Sequence, residues 1–96
     1  MVSKVQIEAY QRSFIEFLKK KFCSPYKISG NEVSRNDYAN ESGISRGTLT
    51  RINDGSPYDI PLSTIYKLCT FENISVPELF QEFDKSLNEW LHKRDV

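Results

Sequence analysis

Two cysteines half the chain apart, Cys23 and Cys69, and a single histidine, His92, leave no clustered ligand set for a zinc site. His92 lies near the polar end of the chain with no partner at metal-ligand spacing, so it reads as a surface residue and no metal is expected. The cysteines read as reduced thiols of a cytoplasmic protein, a redox switch being the remoter alternative. No apolar run approaches the roughly 20 residues that span a bilayer, and the amino terminus does not read as a secretory signal. The Asp and Glu residues are scattered, with no serine, cysteine or lysine nucleophile pattern and no glycine-rich phosphate loop. A non-enzymatic, cytoplasmic protein without cofactor, small-molecule ligand or membrane contact is therefore expected.

Charge of one sign is also lacking, since 13 Lys/Arg balance 13 Asp/Glu. The balance hides an asymmetry. Through Arg51 there are nine Lys/Arg against five Asp/Glu, and from Ile52 onward four against eight. A basic part backed by an acidic one is the footprint of a polyanion-facing side. Lys19, Lys20, Lys21 and Lys27 concentrate positive charge near the end of a first helix, where lysines also solvate a helix end and favour its dipole. With 96 residues, 39% of them hydrophobic, the chain 1–96 reads as one domain with a modest core that needs no staples.

Residues 34–55 (SRNDYANESGISRGTLTRINDG) read as two short helices around a tight turn. Ser34 with Asp37 three residues on is a capping-box-like start, placing the first residue of that helix near Arg35. Gly43 suits the left-handed exit from the helix, and Ser45 caps the next one. At about 100° per residue, Leu49 and Ile52 share an inner side with Ala39 and Ile44 opposite them. Arg46, Gly47, Thr50 and Arg51 take the outer arc. Arginine suits the O6 and N7 of guanine and threonine a base or phosphate, while glycine allows close backbone approach, so these four are the candidate base readers. Ser34, Arg35, Ser45 and Thr48, at helix starts, and Lys20 and Lys21 are the candidate phosphate contacts.

Around this unit, Val5 to Phe22 carries Ile7, Tyr10, Phe14, Phe17 or Leu18, and Phe22 at helical intervals and reads as a core helix. Residues 53–60 are turn-rich, and Pro61 opens a fourth helix to about Glu72. Ser75 and Glu78 form a capping-box pair, so a last helix starts near Val76 and runs to about residue 93. Val76, Phe80, Phe83, Leu87 and Trp90 form its apolar stripe, widened by Leu79 and Leu91. Phe83, Leu87, Trp90 and Leu91 are the candidate dimer seam; folding of this helix back onto the first is the other reading.

Val33 to Phe80 resembles the helix-turn-helix domain of the lambda-repressor and Cro-like (XRE) regulators. The matching residues are Val33-Ser34-Arg35, Tyr38-Ala39, Ser42-Gly43-Ile44-Ser45-Arg46, Thr48-Leu49, Arg51-Ile52 and Asp54-Gly55, followed by Leu62 to Leu68 and Ile74 to Phe80. The resemblance implies an all-α, five-helix fold with an extended last helix. It also implies sequence-specific binding of double-stranded operator DNA, usually as a homodimer, with the third helix in the major groove. In the family the loop after that helix can graze the phosphates, making Ser56 and Tyr58 secondary candidates. Three departures stand out. Residues 23–33 form a longer connection than the family's. Arg35 replaces a frequent glutamine, favouring phosphate contact over bridging near the bases. Asn53 replaces a glutamate that pairs with a first-helix arginine, so the internal polar link must be rebuilt. The function expected is a dimeric transcriptional repressor reading an inverted repeat; the alternative is an adaptor or toxin-neutralising subunit that keeps the fold.

Overall fold

The computed structural model describes the backbone of residues 1–94 and the side chains of residues 1–89. Five helices and one small hairpin follow in the order α1 (Lys4–Phe22), β1 (Lys27–Ile28), β2 (Asn31–Glu32), α2 (Arg35–Ser42), α3 (Arg46–Asp54), α4 (Leu62–Phe71) and α5 (Val76–Arg94). The fold is all-α apart from that hairpin. Ser3 starts α1 with a full capping box, its hydroxyl accepting from the Gln6 N–H at 3.2 Å and its own N–H donating to Gln6 Oε1 at 2.8 Å. That signal lies just before the periodic stretch.

The helix α1 turns inward the later part of the stripe its spacing favours, with Leu18 rather than Phe17 fully buried and Ile15 added beside it. Phe14, Ile15, Leu18 and Phe22 are buried, whereas Ile7 and Tyr10 remain 47% and 54% exposed. No buried residue precedes Phe14, so the first turns extend past the layer on which α1 packs. Ile15, Leu18, Tyr38, Leu49, Ile52, Leu68 and Leu79 form the driest part of the core. Every helix contributes to it.

The connection 23–33 is an antiparallel hairpin with Lys27 opposite Glu32 and Ile28 opposite Asn31. Its two-residue turn, Ser29 (φ 53°) and Gly30 (φ 81°), is left-handed at both positions, the twist that tight hairpins require. The Val33 N–H donates to the Tyr26 carbonyl at 2.9 Å, and Tyr26 itself is buried. The polar link is rebuilt from new partners: Asn53 Nδ2 donates to the Tyr26 hydroxyl. Beside it, the Tyr38 hydroxyl donates to Glu72 Oε2 at 2.5 Å, its ring lying between Tyr26 and Phe71.

Burial and the nearby Glu72 push the Cys23 thiol up to about 12, and burial, then the bond to Glu72, pushes the Tyr38 hydroxyl up as well. Above its ordinary pKa and below its raised one, each group stays neutral when folded but ionises when unfolded. Above the thiol's ordinary 9.0 the unfolded chain therefore binds fewer protons than the folded one, and stability present below that pH is lost as pH rises toward 12. Urea midpoints measured at about pH 8 and pH 10.5 should fall steeply between the two. Equal midpoints would put the Cys23 thiol in contact with water.

The last helix α5 lies against α1. Phe83 meets Phe14 edge-on with centroids 5.0 Å apart, while Phe80 stacks on Phe14 at 5.1 Å. Phe17 and Tyr10 close over Phe83, each at 5.4 Å. Phe83 was expected in a seam between subunits; at 3% exposure it belongs instead to the interior of its own chain, because five aromatic rings of α1 and α5 bury more surface together than apart. Leu87 is half-buried against the same core. The side chains of Trp90 and Leu91 lie outside the described residues.

Candidate nucleic-acid interface

The second helix begins where its cap dictates, with Ser34 Oγ accepting from the Asp37 N–H at 3.1 Å. Gly43, at φ 77°, turns the chain out of α2 without the clash a Cβ would suffer there. Ser45 Oγ then accepts from the Thr48 N–H at 3.1 Å and starts α3, which Gly55 ends at φ 72°. Both serine hydroxyls offered as phosphate contacts are thus already caps. Ser45 also donates to Thr48 Oγ1 at 2.8 Å, so the two side chains hold each other.

Burial divides α3 as its spacing requires. Leu49 and Ile52 are fully buried, while Arg46, Gly47 and Arg51 are exposed and Thr50 is half-buried. Open, shallow depressions flank the helix, one lined by Asn40, Gly43, Ser45, Arg46 and Gly47, the other by Tyr26, Ser34, Arg35, Asn36 and Asn53. The four outer residues therefore share one accessible face beside the start of α2.

Their partners were not visible in the sequence. Arg35 Nη1 donates to Thr50 Oγ1 at 2.8 Å, and the Thr50 hydroxyl donates in turn to the Arg46 carbonyl at 2.9 Å. Arg35 thus bridges to the outer face of α3, against the expectation that an arginine there serves phosphate rather than the region near the bases. The first residue of α2 and the fifth of α3 are simply close enough for a long side chain to join them. Arg46 Nη1 reaches Asn36 Oδ1 at 3.5 Å, and the Arg51 guanidinium sits 5.0 Å from the centre of the Tyr58 ring. Asn36 carried no signal of its own.

The lysines of α1 are committed differently. Lys21 Nζ pairs with Glu82 of α5 at 3.1 Å and lies 5.3 Å from the Phe22 ring, tying the two helices. Lys20, exposed, is 3.8 Å from Glu16 one turn back. Such surface pairs contribute little to stability and open readily for another anion.

Among the described residues, no group of three or more His, Cys, Asp or Glu is placed to hold a metal ion, and no helix is long and apolar enough to cross a membrane. Residues 20–83 match a family model described as Cro/C1-type HTH DNA-binding domain. No curated protein and no solved structure matches the chain.

Proposed function

The chain belongs to the Cro/C1-type HTH DNA-binding domain family, and we propose that it is a sequence-specific transcriptional repressor whose helix α3 enters the major groove of an operator. Arg46, Gly47, Thr50 and Arg51 form the reading face. Ser34, Arg35, Ser45 and Thr48 border the phosphates, with Lys20 adding charge from α1. Lys21 adds its own once its pair with Glu82 opens. Arg35 has donors to spare after its bond to Thr50, since a guanidinium carries five N–H groups.

One observation carries this reading. The first turn of α3 holds a cation, Arg46, at the positive end of the helix dipole and a glycine, Gly47, where alanine favours the helix by about 0.5 to 1 kcal/mol. Arg46's hydrogen-bond partner among the described residues is Asn36, at a long 3.5 Å, and no packing contact requires Gly47. A Cβ on Gly47 would meet no atom within 4 Å, and its φ is not left-handed. Residues that weaken the free helix on an exposed face mark a surface shaped for something outside the chain. A phosphate-rich duplex that brings its backbone close to Gly47 accounts for both. An adaptor or toxin-neutralising subunit has no need of Arg46, Thr50 and Arg51.

Gly47→Ala should accordingly raise the unfolding free energy by about 0.5 to 1 kcal/mol while weakening duplex binding. Denaturant melts and binding isotherms on the same preparation check it. Stability and affinity that rise together would remove the close approach at Gly47.

We further propose a homodimer, because two α3 helices held about 34 Å apart read a palindrome that one cannot. Leu87, Trp90 and Leu91 on the far half of α5 are its contacts. Selection of bound fragments from a random duplex pool tests the reading as a whole. Enrichment of an inverted repeat is expected; a lone half-site would remove the dimer, and no enrichment would remove sequence-specific recognition.

A further inference from the structure

Three side chains of the α3 face have polar or cationic heads that a partner from outside the helix holds, and they are not held alike. Arg46 directs an Nη1 donor at Asn36, and the Thr50 hydroxyl is occupied by Arg35. Arg51 makes no hydrogen bond or ion pair among the described residues; its contact is the face of Tyr58 at 5.0 Å. The difference is chemical. A guanidinium carries its N–H groups in its own plane, so an aromatic ring below that plane attracts it without consuming a donor.

Tyr58 is fit to be such a platform. It belongs to the segment between α3 and α4 and is partly buried against the core, which fixes the ring while leaving room for Arg51 beside it. Arg51 itself is exposed in the last turn of α3, where a cation also agrees with the helix dipole. A long flexible side chain is thereby confined before any ligand arrives, and the rotamer freedom normally lost on binding is already lost.

We infer that Tyr58 is a positioning residue that presents the Arg51 guanidinium with its full donor edge, making Arg51 the reader of a guanine and Tyr58 part of the specificity apparatus. The bidentate pair with guanine O6 and N7 needs two adjacent N–H groups in one plane, and an arginine held over a ring through its π face keeps them unspent. This rests on the reading of α3 as the groove-facing helix.

The test has one arm in the free protein and one with DNA. In the free protein, the Arg51 side-chain Nε–H resonance should lie upfield through the ring current in wild type and in Tyr58→Phe, and should return toward the random-coil position in Tyr58→Leu. Leucine keeps the apolar contact with the core while removing the ring, and circular dichroism verifies the fold. On the best duplex from the random pool, Tyr58→Leu should weaken binding about two- to fivefold, with Tyr58→Phe close to wild type. Adding Tyr58→Leu to Arg51→Ala should cause no further loss, and both variants should tolerate replacement of the same G·C pair. An Arg51 resonance indifferent to Tyr58→Leu, or a double variant weaker than Arg51→Ala by the full factor, would overturn the positioning role alone. A wild-type protein with no preference among duplexes would overturn the groove reading, and that outcome appears before any Tyr58 variant is compared.

Discussion

Leu49→Ala should lower the unfolding free energy by about 2 to 5 kcal/mol, a large share of what a chain of this size possesses. Leu49 is at 0% exposure on the inner side of α3, in the same core as Ile15 and Leu18 of α1 and Tyr38 of α2. Removing its branched end leaves a void that rigid neighbouring helices and rings fill poorly. Ile52, equally buried one turn later, should behave in the same way. Because α3 has only nine residues, too few to persist alone in water, these two side chains anchor the outer face in place. A urea titration reads the effect as a shifted midpoint at unchanged slope. A loss below about 0.5 kcal/mol, the range of ordinary surface substitutions, would mean that α3 is not packed through this side.

Arg46→Ala and Arg51→Ala should each weaken binding to the selected duplex by about 1 to 3 kcal/mol, the discrimination that one bidentate arginine supplies. Their effects on folding should be small and opposite in sign. Arg46 opposes the dipole at the start of α3, so its removal should leave stability unchanged or raise it by a few tenths of a kcal/mol; Arg51 agrees with the dipole at the other end and should cost about as much. This separation of binding from folding distinguishes the outer face from Leu49, whose truncation harms both. Titrations by fluorescence anisotropy at fixed salt measure it. Affinities equal to wild type would take the two arginines off the reading face.

The parts of this architecture that were legible in the sequence are those set by local chemistry. Ser34, Gly43, Ser45 and Gly55 fix the ends of α2 and α3 through caps and left-handed turns, and each needs only its near neighbours. Ser75 likewise marks the start of α5, its hydroxyl accepting from the Glu78 N–H at 3.2 Å. The inner and outer sides of α3 follow from helical periodicity alone. The stripe of α1 follows from it in part: Phe14, Leu18 and Phe22 are buried as the spacing predicts, while the exposure of Ile7 and Tyr10 depends on how far α3 and α5 extend along the helix. The hairpin at 27–32 is too short to show a two-residue period, leaving Ser29-Gly30 as its one signal.

Long-range pairings were the least legible part of the site. Arg35 with Thr50, Asn36 with Arg46 and Tyr58 with Arg51 join residues from separate elements, and their meeting depends on how α2 and α3 cross and where the following segment returns. The seam assigned to Phe83 failed for a related reason. An apolar stripe is equally suited to a partner chain or to its own α1, and the stacking of Phe14, Phe80 and Phe83 takes the second course.

The groove-facing role of α3 is tested most directly by following backbone amide resonances of labelled protein while a selected duplex is added. The largest changes should fall on Arg46, Gly47, Thr50 and Arg51, with smaller ones at Ser34, Arg35 and Asn36, while Leu62 and Tyr66 on the exposed side of α4 remain still. Changes confined to α4 and α5, with α3 silent at saturation, would contradict it.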